Sequence, residues 1–307
     1  MIEAKWTLSM AIDIRRLQTD DASLPRLGSG RWSLLAALAA AGATLLLMRI
    51  GSGHTAGSRH FAARPEFAVW TWILAAETAA AAATAIAMWP AVRILCRATR
   101  PRSIFWAVIT WLAVGLALLF GPKPLTGPGH LHLWLLADRL MVITIAVGCL
   151  ITPCAVGMML VQPRLAALRA DTPTMVAKKR AGRVVVELLW LRAALQWFLT
   201  SFAIVITSAV LATGAGRRAL LADGASAQNY PLVGILIYGG VATMVSALIF
   251  VPTYIAWQQR AVDTRDRLYP VPEDGLPAQE WHPGPQRLRT CFCPHGGAQA
   301  ASLSRHS

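Results

Sequence analysis

The chain has 307 residues, of which 55% are hydrophobic and only 14% charged, and its mean hydropathy is +0.49. Soluble domains carry roughly 45–50% apolar and about 25% charged residues, so an ordinary soluble fold is excluded. The formal net charge of +14 sits in short segments between long apolar runs, which points to anionic lipid headgroups as partners rather than nucleic acid. Short period-2 segments are absent, which excludes an outer-membrane barrel and leaves an all-α, polytopic integral membrane helical bundle. Five scattered cysteines make no disulfide framework.

Residues 1–31 form a polar arm mixing Lys5, Arg15, Arg16, Arg26 and Arg31 with Glu3, Asp13, Asp20 and Asp21. A cleaved signal has a short basic start and a brief apolar region, so the run that follows is expected to stay as an anchor. That run, 32–48, is the first predicted span, with Trp32 at the level of an aromatic belt. A polar loop with His54, Arg59, His60 and Arg64 leads to the second span, 67–89, which can continue as a helix through Arg93, Arg97 and Arg100 until Pro101. The third span is 104–120, and the Pro- and Gly-punctuated stretch from Gly121 to Gly129 closes it. The fourth is 140–161, with Asp138 and Arg139 at its mouth and Pro153 inside.

A basic loop, 162–183, carries Arg164, Arg169, Lys178, Lys179, Arg180 and Arg183. The apolar stretch after it, Val184–Ala212, is too long for one crossing: as a helix it reaches roughly 43 Å against a core of about 30 Å. Its most apolar part, 193–212, is the fifth span, ended by Gly214 and Gly216. Glu187 and Arg192 then fall at the interface, Glu187 within reach of Arg183 at i−4, and Arg192 able to snorkel to the surface. Gln196, one turn deeper, is expected inside the bundle. The sixth span, 232–257, starts after Pro231 and holds Pro252. The tail 258–307 lacks apolar periodicity and is expected to be disordered beyond a helical turn or two.

The arm, the 90–103 loop, the 162–183 loop and the tail hold 21 of the 29 Lys and Arg residues; the other loops hold 7, and Arg192 is the last. Six transmembrane helices with both termini in the cytoplasm satisfy this asymmetry. Cell-membrane placement follows. The excess of Arg over Lys and the abundance of Ala are those of a GC-rich bacterial genome.

Glu77 is the most informative polar residue, because it lies mid-span, about 15 Å from the outer edge by helix rise. A carboxylate there costs on the order of 2.5–3.5 kcal/mol on insertion scales and usually faces the bundle interior or a wet cavity. It reads either as a proton- or cation-coupling site or as a neutral group hydrogen-bonded to a neighbouring helix. Thr110, Thr152, Thr200, Ser201 and Thr243 count to a similar depth, so a midplane polar layer is a candidate ligand or proton-coupling site. Pro153 frees a carbonyl near Thr152, as in broken transporter helices. Gly239, Thr243 and Ala247 form a small-residue stripe suited to close packing, beside Tyr238.

Arg93, Arg97, Arg100, Lys178, Lys179, Arg180 and Arg183 are the expected lipid-headgroup contacts, and a cytoplasmic or membrane protein partner could also dock on them. No metal is expected. His54, His60, His130 and His132 with Glu66 and Asp138 match no ligand spacing, and Cys291, Cys293 and His295 offer three donors where a closed zinc site needs four. Ser52-Gly53-His54 has the Ser-Gly-His order of membrane lipid phosphatases, but the upstream Lys and Arg-Pro and the later Arg and His of that family have no counterpart. No catalytic motif and no cofactor motif is present. Two functions follow from these readings. One is a small-solute or ion transporter or permease-type subunit. The other is a non-catalytic scaffold or regulatory protein.

Overall fold

The structure, a computed structural model, describes residues 30–51, 56–120, 134–170, 178–228 and 230–268. Among these residues the chain is all-α, with α1 (Gly30–Gly51), α2 (Ala56–Ala62), α3 (Pro65–Ala98), α4 (Pro101–Phe120), α5 (Trp134–Ala170), α6 (Lys178–Ala222) and α7 (Leu232–Leu268). Five segments are long and apolar enough to cross a membrane: Gly30–Ile50, Pro65–Ala98, Leu140–Leu168, Val184–Ala222 and Leu232–Arg267. The protein is therefore a multi-span helical membrane protein. α4 has 20 residues, and the side chains of 114–120 lie outside the described residues.

Helix length departs most from expectation in α6, whereas α3 runs past Trp89 as its sequence allows. The 34 residues of α3 reach about 51 Å and the 45 of α6 about 68 Å, well beyond a hydrocarbon core of roughly 30 Å. α3 opens with Pro65 in its first turn, where the missing N–H costs nothing, and continues through Pro90 to Ala98. The basic 162–183 segment is helical at both ends, as the last turns of α5 and the first of α6. α5 runs unbroken through Pro153.

Gly214 and Gly216 do not end α6. Its end lies at Gly224, the one described glycine with a left-handed backbone (φ 92°). There Ala225 N–H bonds to the Leu220 carbonyl and Gly224 N–H to that of Leu221, each at 3.1 Å. This double bond pattern caps a helix through a residue at positive φ, which glycine adopts without strain. Nor does the ordered helix stop soon after Trp257. α7 continues to Leu268 because Trp257, Arg260, Ala261 and Thr264 recur at helical spacing and are buried. That stripe mixes polar with apolar residues, so hydropathy alone conceals it. The N-terminal arm before Gly30 and the tail beyond Leu268 lie outside the described residues.

The helices pack as two compact units. The first contains 162–194 and the chain from Pro252 onward. In it Arg164 on α5 forms an ion pair with Glu187 on α6, and its Nε also donates to the same carboxylate oxygen. Glu187 thus takes a partner from another helix, while the side chain of its i−4 arginine, Arg183, lies outside the described residues. Trp257 donates its indole N–H to the Leu188 carbonyl at 2.8 Å, and Arg260 donates to the Leu168 carbonyl at 2.7 Å. Arg192 lies over the Trp257 ring, 5.4 Å from its centroid, while Tyr254 stacks at 5.8 Å. Cation–π contact, rather than snorkelling alone, anchors Arg192.

The second unit contains 25–161 and 195–251, and small residues set its helix spacing. A Cβ at Gly157 would come within 2.5 Å of the Phe198 ring, and one at Gly216 within 2.8 Å of the Trp70 indole. Both glycines exist so that an aromatic ring can lie against backbone. Trp70 packs edge-on to Phe67 and Phe61, so the loop before α3 is not merely polar: Phe61 of α2 is fully buried. Asp223 lies near both Arg64 (3.6 Å) and His60 (3.7 Å). Along α6, Leu195, Phe198, Phe202 and Val205 take the interior, which turns Gln196 to the exposed side.

Candidate functional site

Position 77 is on α3 in the second unit, within a run of alanines and threonines. Ala75, Thr78, Ala81, Ala82 and Ala85 are all buried, and such small side chains let a neighbouring helix approach closely. α1 does so: the Thr44 and Thr78 hydroxyls hydrogen-bond at 2.8 Å, and Thr78 also reaches the Ala40 carbonyl at 3.4 Å. Thr78 thereby divides its hydroxyl between α1 and the Leu74 and Ala75 carbonyls of its own helix, at 3.2 and 3.0 Å.

Glu77, the adjacent residue, differs. It is only 7% exposed, yet among the described residues its carboxylate makes no hydrogen bond and no ion pair. Burying an ionisable group without a partner is expensive, so native structures rarely keep one without a use. A carboxyl group held in this way can bind a proton or a cation, because no protein donor already occupies its lone pairs. Ser201 on α6 is also buried: it is 5% exposed and makes no hydrogen bond among the described residues.

The other members of the expected polar layer have different surroundings. Thr152 on α5 donates to the Gly148 carbonyl at 2.8 Å and accepts the Trp111 indole N–H at 2.9 Å. Its hydroxyl therefore holds α4 to α5, and Trp111 completes the contact by packing edge-on against Phe202. Thr110, Thr200 and Thr243 have exposed side chains. Thr200 donates to the Gln196 carbonyl and Thr243 to the Gly239 carbonyl, each within its own helix. Equal depth does not bring these six residues to one place, because rise along the axis says nothing about which way a side chain points. Gly239 packs against Val210 of α6, 3.3 Å from an added Cβ, whereas Thr243 and Ala247 are exposed.

Arg93, Arg97 and Arg100 are exposed at the end of α3. The side chains of Lys178, Lys179, Arg180 and Arg183 lie outside the described residues, as do His54, His130, His132, Cys291, Cys293 and His295. Among the described residues no three His, Cys, Asp or Glu side chains gather as a metal site.

The chain matches no protein-family model, no curated protein and no solved structure. The geometry of Glu77 is accordingly the main guide to function.

Residues that the sequence did not single out complete the description. Trp111, Trp257 and Arg260 join helices by donating to carbonyl or hydroxyl oxygens, and Asp223 meets Arg64 and His60. The only sequence signal for Arg260 is its spacing of three from Trp257, which places both on one helix face.

Proposed function

We propose that the protein is a small-solute or ion transporter, or the membrane subunit of a permease, in which Glu77 binds the coupling ion or ligand. The supporting observation is the buried Glu77 carboxylate with no hydrogen-bond or ion-pair partner among the described residues. A structural role as interhelical glue needs a donor on a neighbouring helix, and at this level Thr44 and Thr78 supply that join instead. Ser201, also buried and without a hydrogen bond among the described residues, is the second candidate for ligand contact. The reading is non-enzymatic and takes no resident cofactor.

With this reading goes a topology of six spans, in which α4 crosses at 104–120 and both termini face the cytoplasm. The Lys and Arg asymmetry between alternate loops supports it. A second reading, a scaffold that binds another membrane protein, draws support from the exposed apolar face of α7, which includes Leu236, Ile237, Met244 and Leu248.

Purified protein in liposomes loaded with a pH-sensitive dye tests the transport reading. Under an imposed pH gradient, and separately under a sodium gradient read by a sodium dye, the wild type is expected to pass one ion faster than empty liposomes. Glu77→Gln is expected to remove that flux while the protein still accumulates in the membrane. Flux equal to empty liposomes for both ions, or an equal flux in Glu77→Gln, overturns the proposal.

A further inference from the structure

The second unit carries an apolar groove of about 550 Å³ between α1 and α3, lined by Trp32, Leu35 and Ala39 on one helix and Ile86, Trp89 and Pro90 on the other. Its volume falls within the roughly 300–1,000 Å³ range of small-molecule sites. A concave apolar surface on a membrane helix pair suits a lipid chain, but alone it says nothing about which lipid.

The charges at one end of the groove supply that information. Arg93 is seven residues beyond Ile86, and Arg97 seven beyond Pro90, so both continue the groove-lining stripe of α3 toward its last turn. By helix rise they lie about 6 and 12 Å past Trp89. On α1, Arg31 precedes Leu35 by four residues and falls on the same side of the helix. All three arginines are exposed, and among the described residues none of them makes an ion pair. Trp32 and Trp89, the aromatic residues of the groove, are of the kind that sits at the headgroup level of a bilayer. The groove therefore opens, at the end that carries its tryptophans, onto three cations with no anion paired to them among the described residues.

We propose that this groove is a binding site for one anionic phospholipid, with an acyl chain along Leu35, Ala39, Ile86 and Pro90 and the phosphate on Arg93, Arg97 and Arg31. The site is independent of the transport reading, since it uses neither Glu77 nor Ser201.

Native mass spectrometry of detergent-purified protein given equal amounts of phosphatidylglycerol and phosphatidylcholine with identical oleoyl chains tests the site. The wild type is expected to retain one phosphatidylglycerol in preference to phosphatidylcholine. The double variant Arg93→Ala, Arg97→Ala is expected to lower that preference roughly 20-fold, since each headgroup-facing arginine contributes a several-fold factor. Ala39→Phe, at an exposed groove position, fills the site and is expected to lose both lipids. Leu46→Phe, exposed on α1 outside the groove, is expected to change nothing. Equal retention of the two lipids by the wild type overturns the proposal, as does an unchanged preference in the arginine variant. So does equal loss in Leu46→Phe, which would mean annular lipid only. A protein dimer that Ala39→Phe dissolves would put a second copy in the groove instead of a lipid.

Discussion

The two units differ in how they hold their most buried polar residues. In the first unit Arg164, Glu187, Arg192 and Arg260 each meet a side chain or a carbonyl of another helix segment. In the second, helices are joined mainly by hydroxyls, rings and glycines, and Asp223 meets Arg64 and His60, while Glu77 is left without a hydrogen bond or ion pair among the described residues. Burial is thus a poor guide to function taken alone. Glu187 is partly buried and Glu77 nearly fully, yet what separates them is a partner. A satisfied ion pair locks geometry, whereas an unsatisfied carboxylate retains its capacity to bind something else.

That contrast can be broken by substitution, beginning with the strongest effect. Gly157→Val forces a side chain into the Phe198 ring and is expected to destabilise the second unit by about 3 kcal/mol, read as a shifted denaturation midpoint in mixed micelles. Adding Phe198→Ala should restore part of the loss; no recovery would mean that the close approach is not what glycine serves. Arg164→Ala strands Glu187 and is expected to cost about 2 kcal/mol, less than a fully buried pair because the two side chains are 23% and 29% exposed. Removing both partners together should cost less than the sum of the single changes, and strict additivity would show that the pair contributes nothing.

Smaller effects sharpen the comparison further. Trp111→Phe deletes the indole donor to Thr152 but keeps an aromatic ring against Phe202, and about 1 kcal/mol of stability should be lost. The smallest change belongs to Glu77→Gln, which removes no contact among the described residues and should leave the midpoint within about 0.5 kcal/mol. A loss as large as that of Arg164→Ala would make Glu77 a structural residue after all. The same four proteins, compared under one set of conditions, rank partnered against unpartnered groups directly.

Much of the architecture was legible from hydropathy, since apolar runs of spanning length announce helices regardless of their neighbours. The continuation of α3 past Trp89 was equally readable from local chemistry. Helix ends were less so. Gly214 and Gly216 have the composition of a stop signal but serve in α6 as an unbroken helix, with Gly216 making room for Trp70. Only the backbone at Gly224 shows where the cap forms. The candidate site was half legible: depth along the axis could be counted, and of the six residues it grouped Glu77 and Ser201 are buried. It could not distinguish them from Thr110, Thr200 and Thr243, which share the depth but face outward.

By itself, then, the sequence determined that the chain is an all-α membrane protein, where its main apolar segments lie, and that an ionisable group sits within one of them. These are one-dimensional properties, set by the transfer of side chains and backbone between water and lipid. Tertiary structure alone decided partnership: Glu187 with Arg164, Arg192 on Trp257, Thr44 with Thr78, and Glu77 with none of its described neighbours. Partners between helices are chosen by rotation and crossing, and residues far apart in the chain meet only when those angles are fixed.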